Sequence, residues 1–488
     1  MRGGAFDPPA LPPQFWQRPD VKSALAARDF GALFRLLRDK AGLSQIRIGT
    51  AVEMSQGRIS FLINGKQTVQ SLHVMARIAD GLDMPPTARR LLGVAASPTH
   101  ATAHPAPKAS PANQSPSSQP PPGTEYPDTT DNAISAITGL WQADAEHAPV
   151  LMTSPLDPVA WNSAALAWLV GQPDRPHQPR PAGRRVGHAD VARVRTTAKL
   201  FAELDNRFGG AHHRRALIHY LRDDATQLLK GHYTEQVGRE LFSTIAEALL
   251  LTAWSSYDCG LHGVAQRYYI QALRLAEAGG DQRLACSILS AMSHQATYLG
   301  HLSEAVNLAR AAQTGSRTIA TPTMTAQFQT MEARALARLG DSHACQAVPA
   351  AAEGTFARRN PADDPEFISY FDEAEMADEF GHCLRDLGLA QPAADHAAKA
   401  TASYGDQYQR SDFFALMVLA DAYADQGEPE QACQAALKAM QLGETLTSAR
   451  CSLYVCEFRD RLDRYNGTPA VREFNEQATG LRLWTKAA

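Results

Sequence analysis

The chain lacks any run of about 18 apolar residues, the length that a membrane-spanning helix needs, and it lacks an N-terminal signal pattern. Its seven cysteines form no CxxC pair and are odd in number, which favours a reduced, cytoplasmic protein over a disulfide framework or a zinc site. No P-loop, GxSxG or HExxH motif occurs. We therefore expect no enzyme, no catalytic residue, no cofactor, no metal and no membrane partner.

Charge is unevenly distributed along the sequence. The whole chain carries a net charge of −4, whereas residues 22–93 contain 11 Lys or Arg and only 5 Asp or Glu. A basic segment joined to an acidic remainder is typical of a nucleic-acid-binding module attached to another domain. An ordinary solvated surface would look the same, because charge reports on partners and not on fold.

Two short helical patterns occupy residues 44–65. Ser44 and Ser55 stand where each pattern begins and can cap a helix, and Gly65 stands where the second ends. Between them lies an apolar seam formed by Ile48, Val52, Ile59 and Leu62. Two helices of this length bury too little surface to be stable alone.

The flanking segments supply the missing apolar partners at helical spacing. These positions are Phe30, Leu33, Phe34 and Leu37 on one side, and Met75, Ile78, Ala79 and Leu82 on the other. The pattern predicts a bundle of four or five helices over residues 20–93, with a helix-turn-helix at its centre. Residues 1–19, which precede it, are Pro-rich and are expected to be flexible.

The spacing of Ser44-Gln45, Ile48-Gly49, Ile59-Ser60 and Gly65 resembles the XRE-type (Cro/C1, lambda-repressor-like) helix-turn-helix, over about residues 28–93. Two positions depart from that family. Glu53 stands where the family usually has the turn glycine, and Ile63 stands where it usually has Glu.

A helix-turn-helix of this kind places its second helix, here about residues 55–63, in the major groove of double-stranded DNA. Gln56 suits an adenine edge and Arg58 suits a guanine edge, while Gln45, Arg47 and Lys66 are placed for phosphate. The predicted DNA-binding residues are Gln45, Arg47, Ser55, Gln56, Arg58, Ser60, Asn64 and Lys66. The alternative is a bundle that uses this motif for protein contacts only.

Composition changes sharply after the bundle. Residues 94–132 are rich in Pro, Ala and Ser, with nine prolines between 97 and 132, and are expected to form an extended linker. Residues 133–196 mix apolar segments with Pro and Arg and are interpreted as a small adaptor. From residue 197 to 488 the helical period persists.

This last region contains a repeat in which a glycine is followed five residues later by a small residue. The glycines are Gly260, Gly300, Gly340, Gly388 and Gly427. Seven residues before each glycine lies another small residue, namely Ala253, Ser293, Ala333, Gly381 and Ala420. Such a set predicts helix pairs in which the glycine ends the first helix and small residues mark where the two helices cross. The pattern resembles the tetratricopeptide repeat with long units. Residues 241–246 and 451–465 are expected to be flanking helices.

Stacked helix pairs form a solenoid with a concave face. In the repeat family, the residues that face inward correspond here to Trp254, Tyr257, His294, Tyr298, Arg334, Arg338, His382 and Arg385. Aromatic and basic side chains in a groove suit an extended peptide or an acidic ligand. They could equally be the polar faces of amphipathic helices. The acidic run 372–379 is interpreted as an ordinary helix with solvated acids.

The whole sequence therefore predicts an all-α chain with a helix-turn-helix bundle, a Pro-rich linker and a solenoid. It resembles the XRE-type regulators of actinobacteria that carry a tetratricopeptide-like domain. The resemblance implies a cytoplasmic, homodimeric, sequence-specific transcriptional regulator whose solenoid senses a peptide, a small ligand or a protein partner. The alternative is a protein-interaction scaffold whose bundle does not read DNA.

Overall fold

The computed structural model describes residues 11, 15–16, 18–26, 29–41, 43–52, 54, 59, 62–63, 72–82, 84–85, 88–89, 122–171, 183–405 and 408–487. They belong to two compact units, residues 1–117 and 118–488. The described residues form helices and no strand, with one isolated bridge between Arg185 and His232. The predicted all-α class is thus confirmed. None of the described helices is long and apolar enough to cross a membrane.

The described helices of the first unit are short and share one apolar core. They are α1 (Pro19–Ala26), α2 (Phe30–Ala41), α3 (Gln45–Ala51) and α4 (Leu72–Gly81). All of the apolar positions predicted to pack together are at most 2% exposed: Phe30, Leu33, Phe34, Leu37, Ile48, Val52, Ile59, Leu62, Met75, Ile78, Ala79 and Leu82. The helical period had assigned every one of these side chains to an inner face of the bundle. Their burial confirms the predicted core.

Backbones approach closely where α3 and α4 end. A Cβ atom on Gly81 would lie 1.8 Å from the carbonyl oxygen of Ala51, so no larger residue fits there. Ile63, which replaces the usual family glutamate, is 4% exposed, and Arg35 donates a hydrogen bond to its carbonyl oxygen at 2.5 Å. Position 63 therefore belongs to the core of this bundle, which explains its apolar side chain.

The second unit begins with helices that cover one side of the solenoid. They are α5 (Thr130–Ala145), α6 (Pro149–Met152), α7 (Pro158–Val170), α8 (His188–Phe208), α9 (Gly210–Tyr220) and, after a π turn, α10 (Thr226–Leu229). Buried Asp144 on α5 accepts hydrogen bonds from Arg214 on α9 at 2.5 Å and from Tyr268 at 2.7 Å. The described residues between 133 and 196 thus pack directly on the repeat region and share its core.

The end of the predicted linker also has a defined place. The side-chain amide of Gln271 donates hydrogen bonds to the carbonyl oxygens of Gly123 at 3.0 Å and Glu125 at 2.9 Å. Within residues 122–132, the backbone is therefore fixed against the solenoid.

Helix pairs follow one another through the described part of the second unit. They are α11 (Glu235–Asp258) with α12 (His262–Gly279), α13 (Gln282–Tyr298) with α14 (Leu302–Gly315), α15 (Pro322–Arg338) with α16 (Ser342–Phe356), α17 (Glu373–Asp386) with α18 (Ala390–Ser403), and α19 (Gln409–Gln426) with α20 (Pro429–Leu442). Helices α21 (Ala449–Leu462), α22 (Pro469–Ala478) and α23 (Arg482–Ala487) complete the chain. Residues 241–246 lie inside α11, so the prediction of a separate flanking helix there was wrong.

The repeat glycines end the first helix of each pair, as their spacing predicted. Gly260, Gly300, Gly340, Gly388 and Gly427 follow the first helix of each pair with φ between +73° and +86°, a conformation that side-chain-bearing residues rarely adopt. The small crossing residues are buried between the paired helices, and the Ser293 hydroxyl donates to the carbonyl oxygen of Ala305 on the next helix at 2.7 Å. The consecutive pairs therefore stack as a helical solenoid.

The solenoid closes on itself. The backbone N–H of Thr447, just before α21, donates to the carbonyl oxygen of Phe208 at the end of α8 (2.8 Å), and its carbonyl oxygen accepts from Ala211 (3.3 Å). Gly209 has a φ of +83°, and a Cβ there would lie 3.2 Å from the Thr447 carbonyl oxygen. Two segments 239 positions apart in the sequence are thereby joined.

Candidate functional sites

The first predicted site is the DNA-reading face of the bundle. Ser44 caps α3 as predicted, because its hydroxyl accepts a hydrogen bond from the backbone N–H of Arg47 at 3.3 Å. Gln45 is half-buried at the start of this helix, and Arg47 is exposed on it. The other predicted contacts lie outside the described residues: Ser55, Gln56, Arg58, Ser60, Asn64 and Lys66.

The second site is a cavity of about 490 Å³ at the centre of the solenoid. The first helices of all the helix pairs described above line it, together with α8, the loop before α17 and the beginning of α21. Among the described lining residues, nine are Asp or Glu, five are Arg or Lys, and seven are Phe, Tyr or Trp. Its volume is in the range of sites that hold small organic molecules.

Half of the residues predicted to face the groove line this cavity. They are Trp254, His294, Arg334 and His382. Tyr257 is fully buried instead, and its hydroxyl lies 3.4 Å from Nδ1 of His294. Tyr298 packs against the Tyr257 ring at 5.2 Å. These two tyrosines therefore support the cavity wall from behind.

The two remaining predicted groove residues bind other parts of the protein. Arg338 donates hydrogen bonds to the carbonyl oxygens of Thr297 (2.5 Å) and Tyr298 (3.1 Å), the last residues of α13. Arg385 forms ion pairs with Asp386 (2.8 Å) and Asp421 (3.2 Å). Both guanidinium groups are therefore engaged in holding neighbouring helix pairs together, since each contacts an adjacent element.

Arg450 is a cavity-lining cation that the repeat pattern did not indicate. Its guanidinium lies over the rings of Phe414 at 4.3 Å, Tyr257 at 4.8 Å and Tyr298 at 5.6 Å. Its Nε atom is buried and has no hydrogen-bond partner within the described chain. Ring faces attract cations, so three aromatic rings hold this charge at the first turn of α21.

A second arginine, Arg410, joins the two ends of the solenoid beside the cavity. It forms an ion pair with Asp205 on α8 at 2.6 Å and lies 3.9 Å from Asp258. Asp258 in turn accepts hydrogen bonds from the Ser448 hydroxyl (2.7 Å) and the backbone N–H of Gly210 (2.9 Å). We call Asp205, Asp258, Arg410 and Ser448 the closing cluster.

The acidic run before the fourth repeat glycine also faces the cavity. Glu375, Asp378 and Glu379 all line it, and the last two are each 6% exposed. Glu379 pairs with Arg334, and the hydroxyl of Tyr404 donates to Glu375 at 2.8 Å. The interpretation of these side chains as solvated acids was therefore wrong. We call the three carboxylates the acidic wall.

Burial governs the protonation of these groups. Burial, with the negative charge of Glu379 adding to it, raises the pKa of Glu375 to about 7, and burial likewise raises the pKa of Asp378. Burial lowers the pKa of His294 and of His382 well below the usual range, assisted by nearby arginines. Both imidazoles are thus neutral near pH 7, whereas Glu375 titrates near that pH.

The same helix faces carry a signal that could have revealed the acidic wall. His382, which was predicted, lies one residue past the small crossing residue of α17. Asp378 and Glu375 precede it by four and seven residues, so they occupy the same helical face one and two turns earlier. Extending the inward face by two turns in α11, α13 and α15 identifies further lining residues, namely Glu247, Leu250, Ser287, Ser290, Gln327 and Met331.

Comparison with known proteins assigns one part of the chain. Residues 29–92 match the family model described as a helix-turn-helix domain, which is of the XRE type. No curated protein matches the chain. The matched segment contains α2, α3 and α4 and ends before the second unit. A helix-turn-helix domain of this type suggests a DNA-binding regulator.

Proposed function

We propose that the chain is a sequence-specific DNA-binding transcriptional regulator in which the second unit binds a small molecule and thereby controls DNA binding. The observation that carries the proposal is the presence, in one chain, of a matched helix-turn-helix domain and a cavity with many charged and aromatic side chains. A cleft or cavity with convergent polar groups is the usual form of a ligand site.

The closed form of the solenoid favours a small molecule over an extended peptide. A peptide lying along a concave repeat surface needs that surface to be open at its ends. Here the Phe208–Thr447 backbone hydrogen bond and the Arg410–Asp205 ion pair join the two ends. A molecule of the size that about 490 Å³ accommodates is held without opening them.

The repeat pattern supports a tetratricopeptide-like origin for the solenoid. Each described pair ends its first helix at a left-handed glycine and crosses at small residues. In this proposal the inner face, which such repeats commonly use for binding, is the cavity wall.

We further propose that a homodimer reads DNA. One short recognition helix contacts few base pairs, so two copies on a two-fold symmetric site multiply specificity. Ligand control then requires that the ligand binds the DNA-competent and DNA-incompetent forms with different affinity.

Selection of bound fragments from a randomised duplex pool tests the DNA-reading part. We expect a two-fold symmetric site whose affinity falls steeply with salt. Arg58→Ala, at the predicted guanine-contacting position, is expected to cost about 1–3 kcal/mol of base discrimination. Arg38→Ala is the control, because Arg38 is an exposed arginine on α2 that pairs with Asp39 at 2.7 Å.

Equal losses in both variants, or binding that responds to salt but not to sequence, would contradict sequence-specific reading. The bundle would then act as a basic surface or as a protein-contact module, as in a scaffold.

A further inference from the structure

The electrostatics of the cavity point to the charge of its ligand. Carboxylates outnumber Arg and Lys among the described lining residues, nine to five. Two of these arginines pair with two of these carboxylates, Arg334 with Glu379 and Arg410 with Asp205, which leaves seven carboxylates against three cations. An excess of acidic groups around a cavity attracts a cation.

One carboxylate oxygen in the acidic wall has no hydrogen-bond partner among the described residues. Asp378 is 6% exposed and lines the cavity, yet its Oδ1 atom has no hydrogen-bond partner among the residues that the structure describes. Its nearest ion-pair candidate is Nε2 of His382 at 3.8 Å, beyond hydrogen-bond distance. Buried acceptors are nearly always satisfied, so an unpartnered one beside a cavity indicates a missing donor.

His382 adds a second unsatisfied atom beside Asp378. It is 3% exposed, lines the cavity, and its Nδ1 atom has no partner within the described chain. A neutral imidazole that directs its Nε2–H towards Asp378 leaves Nδ1 as an acceptor. Two neighbouring acceptors therefore call for a group that brings several donors.

The aromatic part of the wall suits the same kind of ligand. Tyr404, Tyr408 and Phe414 line the cavity together with Tyr370 and Trp254. Aromatic faces attract organic cations and also bury apolar carbon. An ammonium group offers three donors and no acceptor, which matches acceptors surrounded by rings.

We infer that the cavity binds an organic ammonium compound, whose charged nitrogen lies against Asp378 and Glu375 and whose apolar body packs on the surrounding aromatic rings. This inference rests on the proposed function only in taking the cavity as the ligand site. It assigns the chemical class of the ligand, which the helix-turn-helix match does not address.

Three compounds with the same ring and chain length test the charge preference: tryptamine, tryptophol and indole-3-propionate. Each is titrated into the full-length protein by calorimetry, and thermal stabilisation is measured in parallel. We expect tryptamine to bind several-fold to about tenfold more tightly than the alcohol, with the acid weakest, because the amine forms a charge-assisted hydrogen bond that the alcohol lacks.

Asp378→Asn tests the assigned residue. It is nearly isosteric and is expected to remove the preference for the amine over the alcohol, whereas Asp395→Asn should leave that preference intact. Asp395 is exposed on the neighbouring helix α18 and hydrogen-bonds to Gln391 at 3.0 Å. Glu375→Gln serves as the second cavity variant if Asp378→Asn does not fold.

Equal or tighter binding of the acid or the alcohol would overturn the inference, as would the absence of amine binding at millimolar concentration. An electrophoretic mobility assay on the selected duplex separates this result from the proposed function. Amine binding without any change in DNA affinity would refute ligand control and leave the ammonium assignment standing. Release from DNA by the acid alone would refute the assignment and leave ligand control standing.

Discussion

Arg410 and Asp205 form a 2.6 Å ion pair that joins the last described helix pair of the solenoid to α8, which lies before the first pair in the sequence. Asp205 is 2% exposed, so its charge is largely removed from water. Nearby, the Thr447 N–H and Phe208 carbonyl join the same two regions through the backbone. The closed form of the cavity therefore depends on a few contacts between segments that are distant in sequence.

Removing one partner of this pair should destabilise the second unit. Arg410→Met leaves Asp205 buried without a cation, and breaking a buried pair in this way typically costs about 3–5 kcal/mol. The measurement is urea unfolding of the wild type, both single variants and the double variant Asp205→Asn/Arg410→Met. We expect the double variant to recover part of the loss. Strictly additive effects of the two substitutions would contradict a direct coupling between them.

The repeat glycines should tolerate a methyl group poorly even where space is free. Gly300 has a φ of +82° and nothing within 4 Å of a built Cβ, so Gly300→Ala tests the backbone alone. We expect a loss of about 1–2 kcal/mol in the free energy of unfolding. Gly354→Ala is the matched control, because Gly354 lies within α16 with equal space and no left-handed φ. That substitution should stabilise the protein by about 0.5–1 kcal/mol, and a similar loss at both sites would refute the assignment.

The close contact between α3 and α4 should make Gly81 sensitive to any side chain. Gly81→Ala places a Cβ against the Ala51 carbonyl oxygen, and overpacking of this kind costs about 1–3 kcal/mol. We expect scanning calorimetry to show a lower melting temperature for the first unit only, together with weaker DNA binding. An unchanged profile would mean that this contact does not limit the stability of the bundle.

The stability of the second unit should fall as pH rises towards neutrality. Burial and Glu379 raise the pKa of Glu375 from 4.5 to about 7, so the folded state binds its proton more tightly than the unfolded state. The stabilising contribution is complete below the unfolded pKa and is lost as pH passes through about 7. Between the two pKa values, each rise of one in pH lowers the free energy of unfolding by about 1.4 kcal/mol. Glu379 and Asp372 add to this rise in the pKa of Glu375, whereas the hydrogen bond from Tyr404 and the charge of Arg410 oppose it.

Glu375→Gln should make this profile less steep between about pH 5 and about pH 7, because one titrating group is gone, whereas Glu247, whose pKa burial also raises to about 7, remains. The measurement is urea unfolding at several pH values, followed through the tryptophan fluorescence of the second unit. Glu476→Gln, at an exposed position on α22, is the control and should retain the slope of the wild type. An identical slope in both variants would show that Glu375 does not titrate in this range.

Sequence reasoning reached most of the helical core, and half of the residues that it predicted to face the groove line the cavity. Trp254, His294, Arg334 and His382 were found because inward positions recur at a fixed offset from the small crossing residue. Arg338 and Arg385 lie at the same offset from the crossing residue, but their side chains bind neighbouring helices. The offset alone does not distinguish a side chain that lines the cavity from one that binds a neighbouring helix. Arg410 and Arg450 do not lie at the inward positions of the repeat. They line the cavity only because the solenoid closes on itself there.

The sequence by itself determined the helix pairs, their left-handed glycines and the inner faces of the helix-turn-helix bundle. These properties are local, because helical period, capping and backbone conformation depend on residues a few positions apart. Only the tertiary structure decided that the concave face surrounds a cavity with an acidic wall. The contact between Phe208 and Thr447 spans 239 positions, and no local pattern records a pairing at that distance. Closure of the chain on itself therefore places helix faces that look solvated in the lining of this cavity.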